Sequence, residues 1–123
     1  MRLRLSLFAM VALASVSVLA HADVAGNWRV EFAAPTGDKA VNMTINQKDD
    51  TLSGQVVYED GEFPLKGTVN GDEVTLVWAV PEQGEQLEIT MSGKIEGEYI
   101  NGTARLGHVG EGSLSARRMS RNP

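Results

Sequence analysis

Apolar residues recur at every second position over most of the chain beyond residue 26, which is the period of a β-strand with one buried face. The clearest example occurs twice, in Leu65–Val74 and again in Met91–Ile100. Each copy has a glycine within its first strand and reverses at Asn-Gly or Glu-Gly, where the backbone needs left-handed angles. This pattern predicts consecutive β-hairpins and no helix.

Eight strands are predicted at close spacing, with turn-forming residues between them. They are Asn27–Ala34, Ala40–Gln47, Thr51–Glu59, Glu62–Val69, Glu73–Val80, Gln86–Ile95, Glu98–Leu106 and Ser113–Met119. Short sequential hairpins favour an up-and-down antiparallel meander, and closure into a small barrel removes the exposed edges of an open sheet. We therefore expect an all-β fold with a single barrel domain.

One alternating face of the first six strands carries no charged side chain, whereas the opposite face is polar. This asymmetry predicts which side chains point into the barrel, because a register shift of one residue would expose the apolar side chains to solvent. Glycines 54, 67, 93 and 102 lie within strands, where we expect them to let the sheet bend. The side chains predicted to point inward are Trp28, Val30, Phe32, Val41, Met43, Ile45, Leu52, Val56, Tyr58, Phe63, Leu65, Val69, Val74, Leu76, Trp78, Val80, Leu87, Ile89, Met91 and Ile95.

The beginning of the chain has the pattern of an export signal. Two arginines precede an apolar run over residues 5–20, and Ala20 and Ala22 form the Ala-x-Ala arrangement that signal peptidases accept. The run is short for a membrane span, so we expect cleavage and no membrane insertion afterwards. The prediction is a signal peptide over residues 1–22 and one domain over residues 23–123, located in the periplasm or secreted.

Charge and cysteine content narrow the functional classes. Removal of residues 1–22 takes away two arginines and no acidic residue, which changes the formal net charge from −5 to −7. An acidic surface repels phosphate backbones, so a nucleic-acid partner is not expected. The chain has no cysteine, so packing without disulfides must hold the fold.

Residues suited to catalysis or metal binding are few. Beyond the predicted signal, His108 is the single histidine, and it lies in the predicted loop Gly107–Gly112 near Arg105 and Glu111. No cysteine or second histidine completes a typical metal set, so no metal or cofactor is expected. An enzyme built on His108 with Arg105 and Glu111 remains a hypothesis that requires the three side chains to converge on a cleft.

An eight-stranded barrel has room either for its own side chains or for one small ligand. Tyr58, Trp78, Met43 and Met91 are the candidate lining of an apolar ligand site, and the same side chains can instead fill the core. The strand Val74–Val80 also has apolar residues on its outward face, which makes it a candidate contact between copies of the chain.

The triplet Gly26-Asn27-Trp28 resembles the opening of the first strand in the calycin superfamily, which includes lipocalins and avidins. In that superfamily an arginine of the last strand packs over this tryptophan. Arg118 shares the alternation of Leu114 and Ala116, so the resemblance implies that Arg118, and not Arg117, lies over Trp28 and closes that barrel end.

Within the superfamily the chain is most similar to the small secreted bacterial lipocalin-like barrels. It is shorter than typical lipocalins and lacks their disulfide, their central motif, a C-terminal helix signal and a set of biotin ligands. These barrels are largely of unassigned function, so the resemblance implies structural roles only for Trp28 and Arg118. From the inward face and the scarcity of catalytic residues, we expect an exported, non-catalytic barrel that binds a small apolar ligand. The alternatives are a filled-core protein that acts through its surface and the enzyme based on His108.

Overall fold

The computed structural model describes residues 20–35, 37–59 and 61–123. These residues form eight strands, which confirms the predicted number and order. The strands are β1 (Gly26–Ala34), β2 (Gly37–Lys48), β3 (Thr51–Tyr58), β4 (Gly61–Asn70), β5 (Glu73–Glu82), β6 (Glu85–Glu96), β7 (Tyr99–Leu106) and β8 (Gly110–Ser120). Strands β2 and β8 begin three residues earlier than expected. Glu111 is therefore part of β8, and the prediction that it lies in a loop with His108 was wrong.

Every strand pairs antiparallel with its neighbour in the chain, and β1 pairs with β8, so the meander closes into a barrel as predicted. The predicted inward face is also confirmed, since its larger side chains form one continuous core. The turns agree with the sequence as well, because Gly71 and Gly97 have φ angles of +61° and +59°. Strands β7 and β8 complete the core with Ile100, Ala104, Leu106, Leu114 and Ala116.

Two of the glycines within strands allow a neighbouring strand to approach closely. A Cβ atom on Gly67 would lie 1.9 Å from the carbonyl oxygen of Thr75 on β5. A Cβ atom on Gly102 would lie 1.9 Å from the carbonyl oxygen of Ser92 on β6. Any larger residue at these positions must push the strands apart, so the glycines hold the tight curvature that closes the barrel.

The barrel has two ends that differ in structure. The closed end carries the β2–β3, β4–β5 and β6–β7 turns, and residues 20–25 also lie there. Ala22 donates its backbone N–H to the Gly71 carbonyl at 2.9 Å, and Val24 is fully buried in the core. The open end carries the β1–β2, β3–β4, β5–β6 and β7–β8 turns.

Arg118 occupies the centre of the closed end, with a side chain only 1% exposed. Its guanidinium carbon lies 4.8 Å from the centre of the Trp28 ring, which is the contact that the resemblance implied. The guanidinium donates hydrogen bonds to the carbonyls of Asp23, Ala25 and Gly97 at 2.8, 3.0 and 3.2 Å. The neighbouring Arg117 is exposed.

Carboxylates balance the charge of this buried arginine. Arg118 Nε lies 3.1 Å from Glu98 Oε2, and Asp23 Oδ2 lies 3.8 Å from Arg118 Nη1. Arg121 pairs with both Glu98 and Asp23 from the solvent side. A buried cation is tolerated when it is paired and hydrogen-bonded, so Arg118 ties β8 to residues 23–25 and to the β6–β7 turn.

Gln47 also binds the N-terminal residues, through hydrogen bonds to Ala22 and Val24. Its side-chain oxygen accepts the Val24 N–H at 2.7 Å, and its side-chain nitrogen donates to the carbonyls of Ala22 and Asp49 at 3.0 and 2.9 Å. The indole N–H of Trp28 donates to the Val24 carbonyl at 2.9 Å. The polar groups of this short segment are therefore largely satisfied by the barrel.

Among the residues the structure describes, no helix is long and apolar enough to cross a membrane. Residues 1–19 of the predicted signal peptide lie outside the described residues. The signal peptide and the cellular location stay predictions.

Candidate functional site

An apolar cavity of about 90 Å³ lies at the open end of the barrel. It lies where inward-facing side chains of several strands meet the turns of that end. Its lining residues are Phe32, Lys39, Val41, Tyr58, Trp78, Val80, Glu82, Leu87, Ile89, Leu106 and Val109. This volume is below the range of about 300–1,000 Å³ that is usual for small-molecule sites, so it admits only a very small molecule or one end of a longer molecule.

Tyr58 and Trp78 are the two candidate ligand residues that the structure brings to this cavity. Tyr58 is the last residue of β3, and Trp78 is on the inward face of β5 between Leu76 and Val80. Tyr58 is half-buried, whereas Trp78 is only 3% exposed. The wall therefore combines a buried indole with a phenol at the opening.

Met43 and Met91, the other two candidates, lie elsewhere. They pair with Val56 on β3 and with Ala104 on β7, nearer the middle of the barrel, and are 1% and 0% exposed. Neither residue lines the cavity. Their side chains fill the barrel below it, so this part of the interior is solid.

The indole N–H of Trp78 has no hydrogen-bond partner among the residues that the structure describes. Within the described part of the chain, two buried side-chain nitrogens make no hydrogen bond, Trp78 Nε1 and Arg118 Nε. Arg118 Nε still has a carboxylate oxygen 3.1 Å away. Trp78 Nε1 has no such compensation, and a buried donor without an acceptor costs about 1–3 kcal/mol.

Two charged side chains in the lining were not predicted. Lys39 continues the inward alternation of Val41 toward the β1–β2 turn, and Glu82 continues that of Val80 toward the β5–β6 turn. Extending the alternation beyond the predicted strand ends is the signal that would have found them. Exposed carboxylates also lie in or beside the turns of this end, at Asp38, Glu59, Glu62 and Glu85.

The three residues of the enzyme hypothesis are divided between two places. Arg105 and Glu111 face each other across β7 and β8 on the outer surface, with 3.9 Å between Nη1 and Oε1. His108 is in the β7–β8 turn and borders an open groove with Glu82 and Gln83. Neither Arg105 nor Glu111 lines that groove, so this groove of the described residues does not bring the three side chains together.

The outward side of β5 borders a groove of about 850 Å³ on the barrel surface. Val77 and Ala79 are half-buried there, next to Pro64 of β4. The groove begins where β4 and β5 separate, because their pairing toward the open end stops at Leu65 and Trp78. The half-burial of Val77 and Ala79 in this groove accounts for the apolar outward face of β5. Association between copies of the chain through this face stays a prediction.

No model of a known protein family and no curated protein matches this sequence. In the ranges covered by the structure, no three histidine, cysteine, aspartate or glutamate side chains are grouped to hold a metal ion. The cavity at the open end combines an apolar lining with a few polar groups, which is the usual form of a small-molecule site.

Proposed function

We propose that this protein is an exported, non-catalytic barrel of the calycin type, similar to small bacterial lipocalins, that binds a small apolar ligand at its open end. The observation that carries the proposal is the apolar cavity beside Tyr58 and Trp78. The eight-stranded meander and the Trp28–Arg118 contact support the structural kinship. Concave apolar sites with a few polar groups are the usual form of small-molecule sites.

The test is native mass spectrometry of the protein purified from the export compartment of its own host, followed by denaturing mass analysis of any released molecule. A stoichiometric small molecule that leaves on denaturation is the expected result. Protein that is repeatedly empty, and that binds no apolar probe afterwards, would contradict the proposal.

Two valines supply a matched pair of variants for this experiment. Val109 and Val57 are both 40% exposed, but Val109 lines the cavity and Val57 is on the outer face of β3. Val109→Trp should obstruct the opening and abolish ligand retention, whereas Val57→Trp should retain the ligand. Equal retention by the two variants would place the ligand outside this cavity.

A second candidate function is a protein with a filled core that acts through its outer surface. The buried Met43 and Met91 and the groove beside Val77 favour it. In that case Val77→Glu should abolish association with a partner or a second copy in size-exclusion chromatography.

A further inference from the structure

We infer that the ligand is a neutral molecule with an apolar body and a carbonyl-type acceptor oxygen, and that Trp78 Nε1–H donates a hydrogen bond to this oxygen. This inference rests on the proposed function and specifies its ligand. Trp78 would then give the site its preference for ligands with an acceptor oxygen over ligands of the same shape without one.

Trp78 carries an unsatisfied donor beside the cavity. It is 3% exposed, lines the cavity and finds no acceptor for its indole N–H among the residues described, whereas Trp28 donates to the Val24 carbonyl. Buried tryptophan N–H groups usually have a partner, so the open end has a donor that a bound molecule can satisfy. Trp78 borders both this cavity and the groove along β4 and β5, so a molecule in the cavity contacts the side chain that carries the unsatisfied donor.

The N–H is screened from water by its neighbours, so an acceptor reaches it only after a small displacement of side chains at the opening. Among the uncharged lining residues, Tyr58 and Leu87 are half-buried and Val109 is exposed, so these three side chains are the least buried. A ligand that enters between them gains the apolar contact and the hydrogen bond together. Both gains are largest where water is excluded.

The charges around the opening favour a neutral ligand. Lys39 and Glu82 bring one charge of each sign to the lining. The exposed carboxylates at Asp38, Glu59, Glu62 and Glu85 belong to the same end of the barrel. They make the approach unfavourable for an anion, so a ketone, aldehyde or ester fits better than a free carboxylate.

The experiment uses two ligands of the same shape, cyclohexanone and methylenecyclohexane, which differ in whether an acceptor oxygen is present. Affinities are measured by NMR titration of the wild-type protein and of Trp78→Phe, and the two proteins are compared for each ligand separately. This order of comparison is necessary because water solvates the two ligands to different extents. Trp78→Phe keeps an aromatic ring and removes the N–H.

Trp78→Phe should weaken cyclohexanone binding about tenfold and change methylenecyclohexane binding less than about twofold. The chain has two tryptophans, so the protein labelled with ¹⁵N has two indole N–H signals. Cyclohexanone should move the Trp78 signal downfield, and the Trp28 signal should stay in place as an internal control. Cyclohexanecarboxylate should bind more weakly than cyclohexanone.

Three results would overturn the inference, and they have different meanings for the proposed function. If both ligands bind and Trp78→Phe weakens them equally, the cavity binds apolar molecules without using the N–H. If cyclohexanecarboxylate binds most tightly, the site prefers anions. If neither cyclohexanone nor methylenecyclohexane binds up to its solubility limit, the proposed function fails together with the inference.

Discussion

The two ends of the barrel each contain a buried tryptophan on the inward face, but the two indoles have opposite surroundings. At the closed end, Trp28 donates to the Val24 carbonyl and lies beneath Arg118. At the open end, Trp78 has no acceptor in the described part of the chain and lies beside the cavity. The comparison teaches that the same residue type ties the fold together at one end and leaves an unsatisfied donor at the other.

The difference comes from what covers each end. Residues 22–25 lie against the closed end, held by Gln47 and Arg118, and they supply backbone acceptors to both Arg118 and Trp28. In the part of the chain that the structure describes, no comparable segment crosses the open end. A ligand there would replace the acceptor that the chain itself supplies at the closed end.

The largest effect is expected from Arg118→Ala, which removes the buried cation of the closed end. It would leave three carbonyls without their charged donor, while Asp23 and Glu98 keep Arg121 as an ion-pair partner, so the free energy of unfolding should fall by about 3–5 kcal/mol. Urea unfolding followed by circular dichroism measures this loss. Arg117→Ala, on the exposed side of the same strand, should change stability by less than about 0.5 kcal/mol. Similar losses from both variants would contradict the assigned role of Arg118.

The comparison itself is tested by making the same substitution at both ends. Trp28→Phe removes a satisfied hydrogen bond, whereas Trp78→Phe removes an unsatisfied donor, and the two lose similar aromatic volume. Trp28→Phe should therefore destabilise the protein by about 1–2 kcal/mol more than Trp78→Phe. Urea midpoints of the two variants give this difference, and an equal loss at the two sites would break the comparison.

A smaller effect is expected where the N-terminal segment is fastened. Gln47→Ala removes the acceptor for Val24 N–H and a donor to the Ala22 carbonyl, which should cost about 1–2 kcal/mol. Hydrogen exchange of the Val24 amide should accelerate in this variant. Gln55→Ala, an exposed position on β3, is the control. Unchanged exchange at Val24 would show that other contacts hold the segment.

The smallest effect should come from the exposed ion pairs near the closed end. Lys94 Nζ lies 3.5 Å from Asp72 and 3.8 Å from Glu96, and its side chain is 59% exposed. Lys94→Ala should therefore change the free energy of unfolding by less than about 0.5 kcal/mol, and added salt should reduce the difference further. A loss above about 1 kcal/mol would contradict this prediction, because it would mean that the exposed ion pairs of Lys94 contribute substantially to the free energy of unfolding.

The sequence by itself determined the strand number, the meander and the inward face. These follow from alternation, since the direction of each side chain along a strand is a local property of the backbone. The same alternation distinguished Arg118 from Arg117, because only Arg118 shares the inward phase of Leu114 and Ala116. The family resemblance supplied the expected partner, Trp28.

Only the tertiary structure decided where open space remains and which side chains border it. Tyr58 and Trp78 line the cavity while Met43 and Met91 fill the core, although all four point inward. Inward direction does not distinguish them, because the residual volume depends on the side chains of many strands together and on the stagger between strands. The unsatisfied N–H of Trp78 depends on the same global packing. Whether an acceptor lies within reach of the indole is known only when all of its neighbours in space are known.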